Sequence, residues 1–269
     1  MWIIRGIGLE GRQDRKPNMT DAPESQQNQQ SKQREPAINL PAGIVALLAV
    51  LVAVHLLRTL ILNERADVEL QFWLAFIPYR LIAGQADASI YLPLLWTPFT
   101  HAFLHANWEH LIFNCIWLAA FGTPVAHRYG PWAMLALFLV SAAAGAAFFA
   151  ATVLPANQWL LGASGGIAGL TGAACRFIFQ PLLIATDPET GERHALGRRL
   201  APLGELWRDR RAMPFIIVWL VLNAAVPFLP VLIGQSVGIA WQAHLGGFLA
   251  GLLLVPLFER QPKEESHEH

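Results

Sequence analysis

The sequence predicts an all-α, polytopic membrane protein with a bundle of six transmembrane helices, and three observations lead there. First, 54% of the 269 residues are hydrophobic and 14% are charged, whereas ordinary soluble domains are about 25% charged. Second, the charge is confined: 28 of the 38 Lys, Arg, Asp and Glu residues fall in 1–40, 180–213 and 259–269. Third, Tyr129–Cys175 and Pro214–Phe258 contain no Asp, Glu, Lys or Arg. Uncharged runs of that length are too long for one crossing and suit a pair of helices. A formal charge of zero and two cysteines exclude a nucleic-acid binder with a basic stripe and a disulfide scaffold.

Residues 1–40 are polar, with Ser25–Gln33 reading SQQNQQSKQ. Too few apolar groups are present to offset the entropy of ordering, so a disordered cytoplasmic tail is expected. Apolar segments follow at 41–62, 107–126, 132–154, 160–179, 214–232 and 239–258. Each is long enough to cross roughly 30 Å of hydrocarbon as a helix, and continuous apolarity excludes the alternating strands of a barrel. Six Lys and Arg residues in the N-terminal tail, six in the 180–213 loop and two in the 259–269 tail place both termini in the cytoplasm by the positive-inside rule. The connections near 155–159 and 233–238 carry none. The 63–106 segment is rich in aromatics but has no clean span, and it reads either as an interfacial hairpin or as a loop folded over the bundle. Cys115 and Cys175 read as small core residues.

Polar groups inside a membrane are costly and usually functional. Three inward-running spans deliver such groups to one depth, in the outer third of the bilayer: His110 and Asn114 in the second, Ser164 in the fourth and His244 in the sixth. Gly162-Ala163-Ser164-Gly165-Gly166 matches the spacing of a nucleophile elbow, but a strand is missing before it. Small residues continue at Ala168, Gly169, Gly172 and Ala173, so helix packing is the competing explanation for Ser164. His244 lies one turn before Gly247 and Gly251, a smooth face that would let span six press against span four and bring the imidazole to the serine hydroxyl. With no carboxylate in either span, the expected device is a Ser–His pair in which histidine is the base. His110 and Asn114, four apart on one face, suit an oxyanion hole or interhelical hydrogen bonds. His105, about 140° further round a continuous helix, should face elsewhere and with His101 should steady the outer loop. H-E-x-x-H and H-x-x-E-H are both absent, so neither a metal nor a cofactor is expected.

These motifs resemble the rhomboid intramembrane serine proteases: His105-Ala-Asn-Trp-Glu-His110-Leu-Ile-Phe-Asn114, Gly162-Ala163-Ser164-Gly165, and Ala243-His244 with Gly247 and Gly251. The likeness extends upstream to Trp96–Ala102 and covers about residues 45–258. The resemblance implies a six-helix domain over 41–258 with Ser164 as nucleophile and His244 as general base. His110, Asn114 and the Ser164 backbone N–H would hold the oxyanion. The implied substrates are transmembrane proteins cut in or near their spans; both tails inside, without an organelle-type presequence, suggest a bacterial inner membrane. It also implies a lateral gate at span five, near Trp219, and a cap loop around 233–239. Three positions depart from the family: Thr97 follows Trp96 where Arg is frequent, Ala168 stands where an aromatic often stacks on the histidine, and Ala126 replaces a frequent glutamate. These departures keep open a catalytically silent, client-binding relative. A small-solute transporter would show an internal repeat, and none is present. The 180–213 loop reads as a cytoplasmic insertion near anionic headgroups.

Overall fold

The computed structural model describes residues 40–83, 88–186, 193–225 and 240–259. The N-terminal tail through residue 39, the 233–239 cap loop and the tail after Glu259 lie outside the described residues. Among the described residues, every predicted apolar segment contains a helix. Helix α1 runs Ala42–Leu56 and continues as a π-turn, Leu57–Ile61. It buries Ile44, Leu47, Leu51, His55 and Arg58, a stripe at helical spacing, while Val45, Val50, Leu60 and Ile61 are exposed on the other side. An apolar rod exposed along one face is built for lipid rather than water.

The 63–106 loop contains helix α2, Glu64–Leu74. Asn63 caps it by accepting the Ala66 N–H at 2.9 Å, and Glu64 and Asp67 occupy the first turn, where acids favour the helix dipole. Its other end leaves carbonyls with no intrahelical partner, and three successive ones are taken up by later side chains. Arg80 donates to Phe72 O at 2.5 Å, Trp96 Nε1 to Trp73 O at 2.8 Å and Thr100 Oγ1 to Leu74 O at 2.8 Å. The loop is thus anchored without an arginine after Trp96.

Helix α3 comprises Trp108–Trp117, a π-turn Leu118–Gly122 and Thr123–Tyr129 in succession. Asn107 caps it through the His110 N–H at 2.9 Å, and Gly130, at φ 84°, ends it. Pro131 begins α4, Pro131–Val153, at the first helical position, where its missing N–H costs nothing. Then come α5 (Ser164–Cys175), α6 (Ala212–Ala225) and α7 (Trp241–Leu254, extended by a 3-10 turn, Val255–Phe258). Asp209 opens α6 by accepting the Arg211 and Ala212 N–H groups at 2.8 and 3.0 Å, and these donors hold its carboxyl below the usual range. Among the described residues, Ala42–Ile61, Pro131–Val153 and Trp241–Phe258 are long and apolar enough to cross a membrane, and Ala212–Ala225 is apolar but shorter.

One element modifies the all-helical expectation. Within the 180–213 loop, β1 (Leu182–Thr186) pairs antiparallel with β2 (Arg193–Arg198). The register shifts so that Leu183 opposes Gly197 and Ile184 opposes Ala195. Leu196 is therefore an extra residue, next to a glycine at φ 95°, the signature of a bulge. The hairpin is tied to the helices where Arg128 of α3 binds Arg198 O and Glu259, whose carboxylate also accepts Tyr129 OH at 2.6 Å.

The trunk is the contact of α4, α5 and α7. Its interface is lined by glycines because the backbones touch. A carbon added at Gly251 would lie 1.8 Å from Gly169 O, and one at Gly247 would lie 2.0 Å from Gly165 O. Ser141 of α4 fills the space over Gly169 in the same way, at 2.0 Å from an added carbon. Such approach maximises dispersion between helices where no hydrophobic force distinguishes protein from lipid. Gly251→Val should therefore lower the thermal stability of the detergent-solubilised protein by about 1–3 kcal/mol or more. Exposed Leu253→Val, one turn-edge away, should change it little. Equal melting of both variants would contradict the backbone contact.

Candidate functional site

Ser164 begins α5, and the approach to it is held from two sides. Leu160 exchanges two backbone hydrogen bonds with Phe76, at 2.8 and 3.1 Å, and the Gly162 N–H donates to His101 O at 3.0 Å. His101 is itself fixed by its Nδ1, 2.9 Å from Thr97 O. Gly162 has φ 126°, and a carbon added there would lie 2.7–2.8 Å from ring atoms of His110 and 3.6 Å from Ser164 Oγ. Only glycine both adopts that conformation readily and admits the imidazole. His110 and the serine hydroxyl thus flank one glycine.

His244 lies in the first turn of α7. The glycine contact one turn further along brings its Nε2 to 2.8 Å from Ser164 Oγ. Its Nδ1 lies 2.7 Å from Asn223 Oδ1, on α6, and Asn223 Nδ2 donates to Trp219 O at 2.8 Å. Asn114, on α3, is buried, and its Nδ2 has no hydrogen-bond partner among the described residues. Ser164, His244, Asn114 and Asn223 line a cavity of about 280 Å³ whose remaining wall is apolar, with Trp117 and Trp219 the largest groups. His110 is outside that lining, against Gly162. An unpaired buried amide donor beside a hydrogen-bonded hydroxyl and imidazole has the makings of an acyl-transfer site: a nucleophile, a base and a donor awaiting an acceptor.

Three of the singled-out side chains, Asn114, Ser164 and His244, line one cavity and His110 lies against the neighbouring Gly162, but one expectation fails. His105 does not face away from His110. The helix starts only at Trp108, so the 140° rotation does not apply, and the two rings meet edge to face at 5.2 Å. At Ala168 the cavity has a small wall instead of an aromatic, and the aromatic packing comes from α6, where Trp219 stacks on Phe248 at 4.4 Å. Two polar groups were also overlooked. Asn223 is the one amide in the 214–232 segment, a signal that the cost of intramembrane polarity makes readable. Arg58, buried at the end of α1, binds Asp67 through two contacts of 2.7 and 3.2 Å and donates to His105 O at 2.7 Å. It joins α1, α2 and the segment before α3.

Gly162→Ala should displace the His110 ring and force an unfavourable φ. We expect a loss of about 1–3 kcal/mol in thermal stability, whereas Ser164→Ala, a small truncation at a half-buried site, should change stability far less. The comparison can be made by melting both variants in detergent.

Sequence comparison adds the family. A protein named rhomboid protease GlpG from Serratia proteamaculans is 30% identical over 222 residues, covering 82% of this chain and 63% of that protein. A protein of the same name from Pectobacterium atrosepticum is 30% identical over 161 residues, covering 60% of this chain and 47% of that one. One from Yersinia pestis is 27% identical over 213 residues, covering 78% and 60%. The chain thus spans about half to two thirds of the length of these relatives. The family model of the rhomboid domain matches residues 93–261. By that match and by its long apolar helices, the chain is an integral membrane protein belonging to the rhomboid family.

Proposed function

We propose that the chain is a serine endopeptidase that cleaves peptide bonds in or near transmembrane segments of other membrane proteins. The observation that carries this reading is the 2.8 Å approach of His244 Nε2 to Ser164 Oγ, in a cavity that also holds the unpaired Asn114 amide donor. Serine is a weak nucleophile until a base accepts its proton. In the reaction, Ser164 Oγ attacks the scissile carbonyl carbon as its proton passes to His244 Nε2. The carbonyl oxygen becomes an oxyanion that accepts hydrogen bonds donated by Asn114, the Ser164 backbone N–H and His110. Collapse breaks the C–N bond, and the His244 proton leaves with the amine. Water, deprotonated by the same imidazole, then releases the acyl group and restores the serine.

A substrate helix has its amides hydrogen-bonded internally, so it must unwind locally before any carbonyl reaches Ser164. The reading includes six crossings, both termini in the cytoplasm, a bacterial inner membrane and no cofactor or metal. A silent client-binding relative would need the same bundle but neither the hydroxyl nor its contact with an imidazole. The short Ser164–His244 distance favours catalysis.

Purified protein should react covalently with a fluorophosphonate probe, and Ser164→Ala should abolish that labelling. Labelling that persists in the variant removes Ser164 from the role. Cleavage should also fall as pH is lowered through the His244 transition, because the imidazolium cannot accept the hydroxyl proton. The absence of any acid limb over the whole range in which the protein stays folded would rule out His244 as the base.

A further inference from the structure

We propose that Asn223 is a positioning residue that selects the base-competent tautomer of His244, so that the site operates as a hydrogen-bonded Ser164–His244–Asn223 chain carried on three helices. This rests on the Ser–His reading above and goes beyond it, since that reading assigns nothing to α6.

The assignment follows from donors and acceptors. An asparagine amide has an NH₂ that only donates and an oxygen that only accepts. The carbonyl oxygen of Trp219 is an acceptor, so the atom of Asn223 at 2.8 Å from it must be the NH₂, and the hydrogen-bond network sets the orientation of the side chain. The oxygen is then the atom 2.7 Å from His244 Nδ1. Because that oxygen carries no proton, Nδ1 must carry one. A neutral imidazole protonated at Nδ1 has its lone pair on Nε2, the atom 2.8 Å from Ser164 Oγ. The amide therefore specifies which nitrogen faces the nucleophile, and holds the ring plane while it does so.

Three further observations agree. No carboxylate takes part in the hydrogen bonds of His244, so Asn223 is the ring's one partner other than the serine among the described residues. Ala168, lining the cavity where an aromatic could have braced the ring, provides no hydrogen bond. The Trp219 carbonyl that orients the amide belongs to a residue whose side chain is buried and stacked on Phe248 of α7, at 4.4 Å. Asn223 is half-buried at the cavity, four residues past that anchor and so about one turn from it. As the imidazole takes the serine proton, its positive charge is met at Nδ1–H by the amide oxygen. The proton on Nδ1 stays in place throughout.

Two substitutions with opposite expectations test this. Asn223→Leu keeps the size, removes the acceptor and suits an apolar helix. Asn223→Asp keeps an oxygen acceptor but places a carboxylate beside the ring. If Asn223 served only packing, Leu would be tolerated and Asp would not. As a positioning residue it predicts the reverse. In proteoliposomes, Asn223→Leu should label Ser164 with the fluorophosphonate about 10- to 100-fold more slowly than wild type, part of the usual contribution of a general base. Its thermal melting should remain within the wild-type range, and cleavage of a transmembrane substrate should lose kcat with KM little changed. Asn223→Asp should retain most of the rate at alkaline pH, with the acid limb of its pH–rate profile moved upward by about 1–3 units, because a neighbouring carboxylate stabilises the imidazolium. Asn223→Leu labelling at the wild-type rate across the pH range overturns the role of Asn223 while leaving the Ser–His reading in place. A wild type that fails to label at Ser164 overturns that reading and the role of Asn223 with it.

Discussion

The separation of Ser164 and His244 is set by contact between two backbones. Gly247 and Gly251 of α7 rest on the carbonyl oxygens of Gly165 and Gly169 of α5, with no side chain between them. Ser164 directly precedes the contact residue Gly165, and His244 lies about one turn before Gly247, so the distance between hydroxyl and imidazole follows from the distance between the rods. In a bilayer this contact cannot rely on the hydrophobic effect, because lipid tails are as apolar as leucine. Close packing of small residues is what remains, and it gives the geometry a precision that a layer of flexible side chains would not.

Around that trunk, polar groups are used to finish backbones and tie segments together. The three exposed carbonyls at the end of α2 are met by Arg80, Trp96 and Thr100. Arg58 binds Asp67 and His105 O together, and the Gly162 N–H is held by His101 O. These contacts bring the 63–106 loop down onto the segment that leads into Ser164. A buried arginine in so apolar a helix is tolerable because a carboxylate and a carbonyl share its donors.

Much of this was legible beforehand, for identifiable reasons. The apolar runs and the small-residue spacing at Gly247 and Gly251 encode helices and their contact directly, because periodicity and residue size are local properties. Ser164, His244, His110 and Asn114 stood out as polar groups in apolar surroundings. The His105 orientation was not legible, since it depended on where α3 begins, and Asn107 supplies the cap that starts the helix two residues after His105. The β-hairpin was also missed, because charge density in 180–213 says nothing about pairing. Asn223 was visible as a lone amide in an apolar stretch, but its meaning depends on the azimuth of α6 relative to α7, which no local pattern reveals.

The seam of glycines also divides the molecule mechanically. Helices α4, α5 and α7 are joined main chain to main chain and can slide or tilt only by breaking many atomic contacts at once. Helix α6 touches that block through bulky side chains such as Ile216 and Trp219, while Ile217, Val218 and Val221 remain uncovered. Stiffness is therefore unequal across the bundle: the three-helix block acts as a fixed frame, and α6 as a softer leaf hung against it.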